Sequence, residues 1–135
     1  MIVLDTSVLS VAFRRQARAA TEPKPVQVLR RLVVDNRPLL LPGIVLQELL
    51  SGLRSAGDSK KLRVLLEGFP LHLATEADHV RAAEISNACR QAGVTCATVD
   101  TLIAAIAVGA DAFLLTTDRD FADIALHCGL QLYPV

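Results

Sequence analysis

The stretch Ile2-Val3-Leu4-Asp5-Thr6-Ser7 opens the chain with a short apolar run that ends in a carboxylate. Near the other end, Phe113-Leu114-Leu115-Thr116-Thr117-Asp118 repeats the arrangement. Both runs have the length and composition of buried strands, which predicts that Asp5 and Asp118 lie at or just beyond strand carboxyl ends. In an open parallel sheet that edge is where ligands bind. The two acids are therefore candidate site residues.

Two further acids lie in apolar stretches that are typical of helices. Glu48 is placed among apolar residues in Ile44-Val45-Leu46-Gln47-Glu48-Leu49-Leu50, and Gly52 follows one turn later, where its small size leaves space for a ligand or a neighbouring element. Asp100 follows Thr98 in the first turn of another apolar helix. A charge in such surroundings is costly unless it has a partner.

Each acid taken alone has an ordinary explanation. Asp5 and Asp118 are suited to turns or helix caps. The helix dipole favours an anion at Asp100 by about 0.3–1 kcal/mol. The four together are more specific, because like charges about 4 Å apart repel by roughly 4 kcal/mol per pair at an effective dielectric of about 20. If they converge, they need a cation, and Mg²⁺ or Mn²⁺ accepts oxygen ligands readily. The pattern predicts a metal-dependent hydrolase.

The composition predicts one α/β domain spanning residues 1–135. Hydrophobic residues make up 52% of the chain, which suits a mainly parallel sheet covered on both faces. Strands are predicted at 2–5, 39–41, 71–73, 113–116 and 131–133. Helices are predicted at about 26–35, 43–55, 58–67, 76–92, 99–109 and 119–127, and after Asp5, where Thr6 or Ser7 is a candidate cap. The helix over 76–92 is expected to face the core with Ala77, Val80, Ala83 and Ala88.

Charge and aromatic content limit how a nucleic acid would be held. Aromatic residues make up only 4% of the chain, which leaves little for base stacking, and the formal net charge is zero. Basic residues nevertheless crowd the first third, partly within a predicted loop over 14–25. They suit a solvated surface as well as a basic rim around the acids. The candidates for phosphate contact are Arg14, Arg15, Arg18 and Lys24.

The remaining sequence signals favour a cytoplasmic protein. Three cysteines without metal-ligand spacing, Cys89, Cys96 and Cys128, suit reduced buried thiols. No histidine has ligand spacing with another histidine or with a cysteine, which argues against structural zinc. Asp5 interrupts the N-terminal apolar run, so no signal peptide is expected. No membrane span is expected either, because Asp100 and Asp111 interrupt the longest apolar candidate, near Val99 to Leu115.

Four segments in order resemble the motifs of the PIN-domain family, and most closely those of VapC-type toxins from toxin–antitoxin pairs. They are Ile2-Val3-Leu4-Asp5-Thr6-Ser7-Val8-Leu9, Leu46-Gln47-Glu48-Leu49, Asp100-Thr101-Leu102-Ile103-Ala104-Ala105 and Thr116-Thr117-Asp118-Arg119-Asp120-Phe121. The likeness covers essentially the whole chain. One departure is Asp100-Thr101, where such toxins often carry Asp-Ala; the acid itself is kept.

The resemblance implies a three-layer α/β/α sandwich and a Mg²⁺- or Mn²⁺-dependent endoribonuclease that cleaves RNA by a metal-activated water. It implies that the metal-site and catalytic acids are Asp5, Glu48, Asp100 and Asp118. Asp120 is implied as an auxiliary acid, and Thr116 as a neighbour that hydrogen-bonds a carboxylate or water. A cognate antitoxin and a homodimer are also implied.

Other classes remain to be compared with the nuclease. A PIN-like fold acting only as a non-catalytic binding module, through protein or RNA contacts, has no need of all four acids together. A phosphoacceptor receiver domain also places acids at strand ends, but it needs a lysine after a late strand, and Gln131-Leu132-Tyr133-Pro134 offers none. A phosphatase with a nucleophilic aspartate needs a second acid two residues on, where this chain has Ser7.

Overall fold

The computed structural model describes residues 1–14 and 22–135, and these form five strands and seven helices. The strands are β1 (Ile2–Leu4), β2 (Leu39–Pro42), β3 (Leu71–His72), β4 (Phe113–Leu115) and β5 (Gln131–Leu132). The helices are α1 (Thr6–Arg14), α2 (Lys24–Val34), α3 (Gly43–Ser51), α4 (Ala56–Leu66), α5 (Glu76–Gln91), α6 (Thr98–Gly109) and α7 (Asp120–Ala125). The predicted alternation of strand and helix is confirmed.

The five strands form one parallel sheet in the order β3-β2-β1-β4-β5. Along the chain the strands first step from β1 to β3 on one side, and then continue with β4 and β5 on the other. Right-handed crossovers therefore place α1 to α4 on one face and α5 to α7 on the opposite face. The helix contacts agree, because α1 packs on α2 and α3, whereas α6 packs on α5 and α7. The predicted three-layer α/β/α architecture is confirmed.

The order in which strands are added to the sheet reverses between β1 and β4. These two parallel strands are neighbours, with Ile2 opposite Phe113 and Leu4 opposite Leu115. Such a switch point opens a crevice at the carboxyl ends of the two strands. The strand interiors are sealed by aliphatic packing, and Val3, Leu4 and Leu114 are fully buried. The crevice thus lies at the edge of a rigid, dry core.

Several element boundaries differ from the predicted ones. α3 ends at Ser51 instead of about 55, and α4 begins at Ala56 because the Ser55 hydroxyl accepts a hydrogen bond from the Asp58 backbone N–H at 3.1 Å. The loop predicted over 14–25 is shorter at both ends, since α1 continues to Arg14 and α2 begins at Lys24. Residues 15–21 lie outside the described part of the chain.

The predicted inward face of α5 is wrong. Ala77, Val80 and Ala83 are exposed, and the buried positions are Asp78, Ala82, Ile85 and Cys89. Asp78 turns inward because its carboxylate accepts hydrogen bonds from the Thr75 backbone N–H at 3.0 Å and contacts His72 Nε2 at 2.9 Å. Burial by itself raises the pKa of Asp78, but these bonds outweigh it and lower the pKa. The capping interaction between Thr75 and Asp78 therefore determines which face of α5 is turned towards the core. The pattern of apolar residues contains no information about this interaction.

Within residues 1–14 and 22–135, no helix has both the length and the apolar character needed to cross a membrane.

Candidate acidic site at the sheet switch point

Asp5 directly follows β1 and lies at the switch point between β1 and β4. Its backbone N–H donates to the Leu115 carbonyl at 3.1 Å, which continues the pairing with β4 one residue beyond the strand. Only 4% of Asp5 is exposed, so its carboxylate is enclosed by protein on most sides. The predicted position at a strand end is confirmed, and the side chain is held where ligands bind in sheets of this kind.

Two hydroxyl groups hold the Asp5 carboxylate in place. Ser7 Oγ and Thr116 Oγ1 each donate a hydrogen bond to Asp5 Oδ2 at 2.7 Å. Both donors meet the same oxygen, so Oδ1 is the oxygen that remains available to a ligand. The implied contact between Thr116 and a carboxylate is present, whereas the role of Ser7 was not predicted.

The same two hydroxyls organise the loop that carries Asp118. The Thr117 backbone N–H donates to Ser7 Oγ at 3.0 Å, and the Asp118 backbone N–H donates to Thr116 Oγ1 at 3.0 Å. Asp118 Oδ1 in turn accepts from the Asp120 backbone N–H at 2.9 Å, just before α7 begins. The loop after β4 is thereby tied to Asp5.

Glu48 reaches the site from α3, on the first face of the sheet. The structure corrects the expectation of apolar surroundings, because Glu48 is exposed and faces a cavity of about 470 Å³ that Thr6, Gly52 and Lys61 also line. Thr6 Oγ1 donates to Glu48 Oε1 at 2.6 Å, which joins the start of α1 to α3. Nothing lies within 4 Å of a Cβ placed on Gly52, so this glycine leaves open space beside Glu48, as expected.

The tightest cluster of carboxylates consists of Asp100, Asp118 and Asp120. One oxygen from each lies within 4.8 Å of the others. Asp100 belongs to the first turn of α6 and is half-buried, whereas Asp118 and Asp120 are exposed. Asp120, implied only as an auxiliary acid, therefore belongs to the same cluster as Asp100 and Asp118.

Asp5 and Glu48 lie outside this three-acid cluster, but their charges reach Asp100. Burial is the largest cause that raises the pKa of Asp100 to about 6, and the charges of Asp118, Asp5, Asp120 and Glu48 add to the rise in that order. The charges that act on Asp100 thus come from residues that follow two strands, Asp5 and Asp118, and from Glu48 in α3 and Asp120 in α7. A single site formed by all four predicted acids stays a prediction.

No lysine, arginine or histidine among the described residues forms an ion pair with these acids. The ion pairs of the described residues lie elsewhere and join Arg30 to Glu22, His72 to Asp78 and Arg81 to Asp78. Five carboxylates without an ion-paired cation form an all-oxygen donor set, which is the ligand chemistry of Mg²⁺ and Mn²⁺. The residues present therefore fit a divalent metal ion.

The structure does not test the four basic residues that were predicted to contact phosphate. Lys24 is exposed at the start of α2, Arg14 is the last residue of α1, and Arg15 and Arg18 lie outside the described residues. Their contact with phosphate stays a prediction. Lys61 lines the cavity beside Glu48, and sequence reasoning did not select it.

Acids gathered at the switch point of a parallel sheet, with helices on both faces, define a class of α/β proteins with a candidate metal site. The chain belongs to the PIN domain family, whose model matches residues 2–126. It is 33% identical to Ribonuclease VapC11 of Mycobacterium tuberculosis over 133 residues, which covers 97% of this chain and 96% of that protein. The resemblance predicted from the four motifs is confirmed.

Solved structures show the same fold. The crystal structure of VapBC2 from Rickettsia felis bound to a DNA fragment from its promoter has a TM-score of 0.79 at 22% identity, with 98% of each chain covered. A toxin–antitoxin complex from Klebsiella pneumoniae has a TM-score of 0.70 at 18% identity, with 90% of this chain and 91% of that chain covered.

Proposed function

We propose that this chain is a divalent-metal-dependent endoribonuclease and the toxin component of a toxin–antitoxin pair. The observation that carries the proposal is the cluster of Asp100, Asp118 and Asp120, with which no described cation forms an ion pair and whose Asp100 also feels the charges of Asp5 and Glu48. The similarity to a protein named Ribonuclease VapC11, over nearly the full length of both chains, supports RNA as the substrate. Together they favour hydrolysis of an RNA phosphodiester.

Each acid has a role that follows from its setting. Asp5, Asp100 and Asp118 would hold Mg²⁺ or Mn²⁺, with Glu48 and Asp120 beside them. When bound, such an ion supplies activation of a water for in-line attack and neutralises charge on the phosphate oxygens. Glu48 is exposed towards the cavity and held by Thr6, so it is suited to orient or deprotonate the attacking water. A bound cation would favour the ionised form of Asp100 and so would lower its raised pKa.

A non-catalytic binding module is the second candidate, and the site does not favour it. Repulsion among the clustered acids opposes folding. A binding module that holds no metal has no reason to retain these acids. Calorimetry with Mg²⁺ and Mn²⁺ separates the two candidates. A protein that binds neither ion at millimolar concentration would favour the binding module.

Removal of divalent metal is expected to abolish RNA cleavage, because the carboxylates then lack the cation that activates water. Purified protein treated with a chelator should leave cellular RNA intact, and added Mg²⁺ or Mn²⁺ should restore cuts at defined positions. Mapping of the new RNA ends is the measurement, and the Asp5→Asn protein, purified in parallel, controls for contaminating nuclease. Equal cleavage with and without chelator would contradict the proposal.

Partners and location form the last part of the proposal. The likeness to a structure described as a toxin–antitoxin complex supports a cognate antitoxin. A cytoplasmic location is part of the proposal, because the proposed RNA substrate is available there. We also expect a homodimer, since a formal net charge of zero does not oppose self-association. Light scattering coupled to size-exclusion chromatography at several concentrations tests the dimer. A strictly monomeric protein throughout would contradict it.

A further inference from the structure

We propose that Ser7 is a positioning residue for the metal site, which aims the Asp5 carboxylate and locks the loop that carries Asp118. This inference rests on the proposed metal-dependent function and adds a residue that is not itself an acid. It is carried by one connected set of hydrogen bonds among β1, α1 and the loop after β4. Two of these bonds are local, and the other two join distant parts of the chain, because Thr116 and Asp5 are 111 positions apart and Thr117 and Ser7 are 110 positions apart.

The set has a defined direction. A serine or threonine hydroxyl has one proton to donate and lone pairs to accept with. Ser7 donates its proton to Asp5 Oδ2 at 2.7 Å and accepts from the Thr117 N–H at 3.0 Å. Thr116 does the same with Asp5 Oδ2 and the Asp118 N–H. The two hydroxyls are 3.3 Å apart, and since both protons are committed to Asp5, this contact is secondary.

Each arm therefore runs from a backbone N–H, through a hydroxyl, to a carboxylate oxygen. Hydrogen bonds in such chains polarise one another, which strengthens the bond to the charged end. Both arms end on Oδ2, so they fix the plane of the Asp5 carboxylate. Oδ1 is then presented to a cation in a single orientation. Preorganisation of this kind is how residues behind a metal ligand tune its affinity.

Helix capping is the ordinary alternative for Ser7, and the contacts argue against it. A capping hydroxyl accepts a hydrogen bond from a backbone N–H two or three residues further along its own helix. Ser7 instead accepts from Thr117, on the far side of the switch point. Its neighbour Thr6 is also not engaged in capping, because its hydroxyl donates to Glu48. The first turn of α1 is thus committed to the acids of the site.

The test is calorimetric titration of Mn²⁺ into the wild-type chain and into Ser7→Ala. We expect the dissociation constant for Mn²⁺ to rise about 10–100-fold in Ser7→Ala, as for other residues that support a metal ligand. RNA cleavage at saturating Mn²⁺ should fall far less than cleavage at low Mn²⁺, because the acids remain. Ser7→Thr, which keeps a hydroxyl, should bind Mn²⁺ nearly as the wild type does.

Ser86→Ala is the control, since Ser86 lies on α5 and makes no hydrogen bond to the acids among the described residues. Its Mn²⁺ affinity should be unchanged. If Ser7→Ala does not fold, Ser7→Cys preserves most of the volume with a weak donor and should also lose affinity. If folded Ser7→Ala or Ser7→Cys bound Mn²⁺ with wild-type affinity, the role of Ser7 would be overturned and the proposed metal site would be unaffected. Failure of the wild-type chain to bind Mn²⁺ would overturn the metal site and the inference together.

Discussion

An Asp5→Asn protein is expected to fold and to cleave RNA about 10³-fold more slowly than the wild type, or to show no cleavage at all. The amide keeps the shape of the side chain, and its oxygen still accepts from Ser7 and Thr116, which donate at 2.7 Å in the wild type. What it lacks is the negative charge that a divalent cation needs. A loss of about 4 kcal/mol of transition-state stabilisation corresponds to this factor.

Site-specific cleavage of a defined RNA, measured under single-turnover conditions, gives the rate of each variant. Asp111→Asn is the matched control, because Asp111 is an exposed acid just before the amino end of β4, at the opposite edge of the sheet. Its φ of 51° is a left-handed conformation that asparagine also adopts readily. The control should cleave at the wild-type rate. Unchanged cleavage by a folded Asp5→Asn protein would remove Asp5 from the active site.

The positions of Asp5 and Asp118 were predictable because two simple rules combine there. Short apolar runs mark buried strands, and parallel strands bring their carboxyl ends to one edge of a sheet. The positions of Asp100 and Glu48 were not predictable from these two rules. They depend on the contact between α6 and α3, which lie on opposite faces of the sheet. The ordered motifs of the family supplied that information, whereas hydrophobic periodicity did not.

The hydroxyl network was beyond local sequence reasoning. Directly after a strand, Thr6 and Ser7 have the local pattern of helix caps, and that interpretation was the natural one. Their partners are Glu48, 42 positions away, and Thr116 and Thr117, more than a hundred positions away. The face of α5 was wrong for a related reason, because Asp78 is drawn inward by Thr75 and His72. In both places a polar contact overrides the pattern of apolar residues.

Asp100→Asn is expected to have opposite effects on activity and on stability. Loss of a metal-site carboxylate should reduce RNA cleavage by a factor similar to that of Asp5→Asn. The metal-free protein, however, should become more stable at pH 7, because Asp100 is half-buried beside four other acids and its pKa is raised from 3.8 to about 6. A shift of this size corresponds to roughly 3 kcal/mol, which solvent screening of a partly exposed group reduces to about 1 kcal/mol.

The pH dependence follows from the direction of the shift. An acid whose pKa is raised by folding stabilises the folded state while it is protonated, so this contribution is complete below pH 3.8 and is lost as pH rises through about 6. In the presence of chelator, the free energy of unfolding of the wild type should therefore fall relative to that of Asp100→Asn between about pH 4 and pH 6. Urea denaturation at each pH, with Asp111→Asn as the control, measures the difference.

Added Mn²⁺ should reverse the order of stability at pH 7. A ligand that binds only the folded state stabilises it in proportion to the logarithm of its concentration over the dissociation constant. The wild type should gain stability from the ion, and Asp100→Asn should gain little, since its site has lost a charge. Equal stability of the two metal-free proteins across this pH range would show that repulsion among the acids is weak. The cluster would then have no need of a cation, and the physical basis of the proposed metal site would be gone.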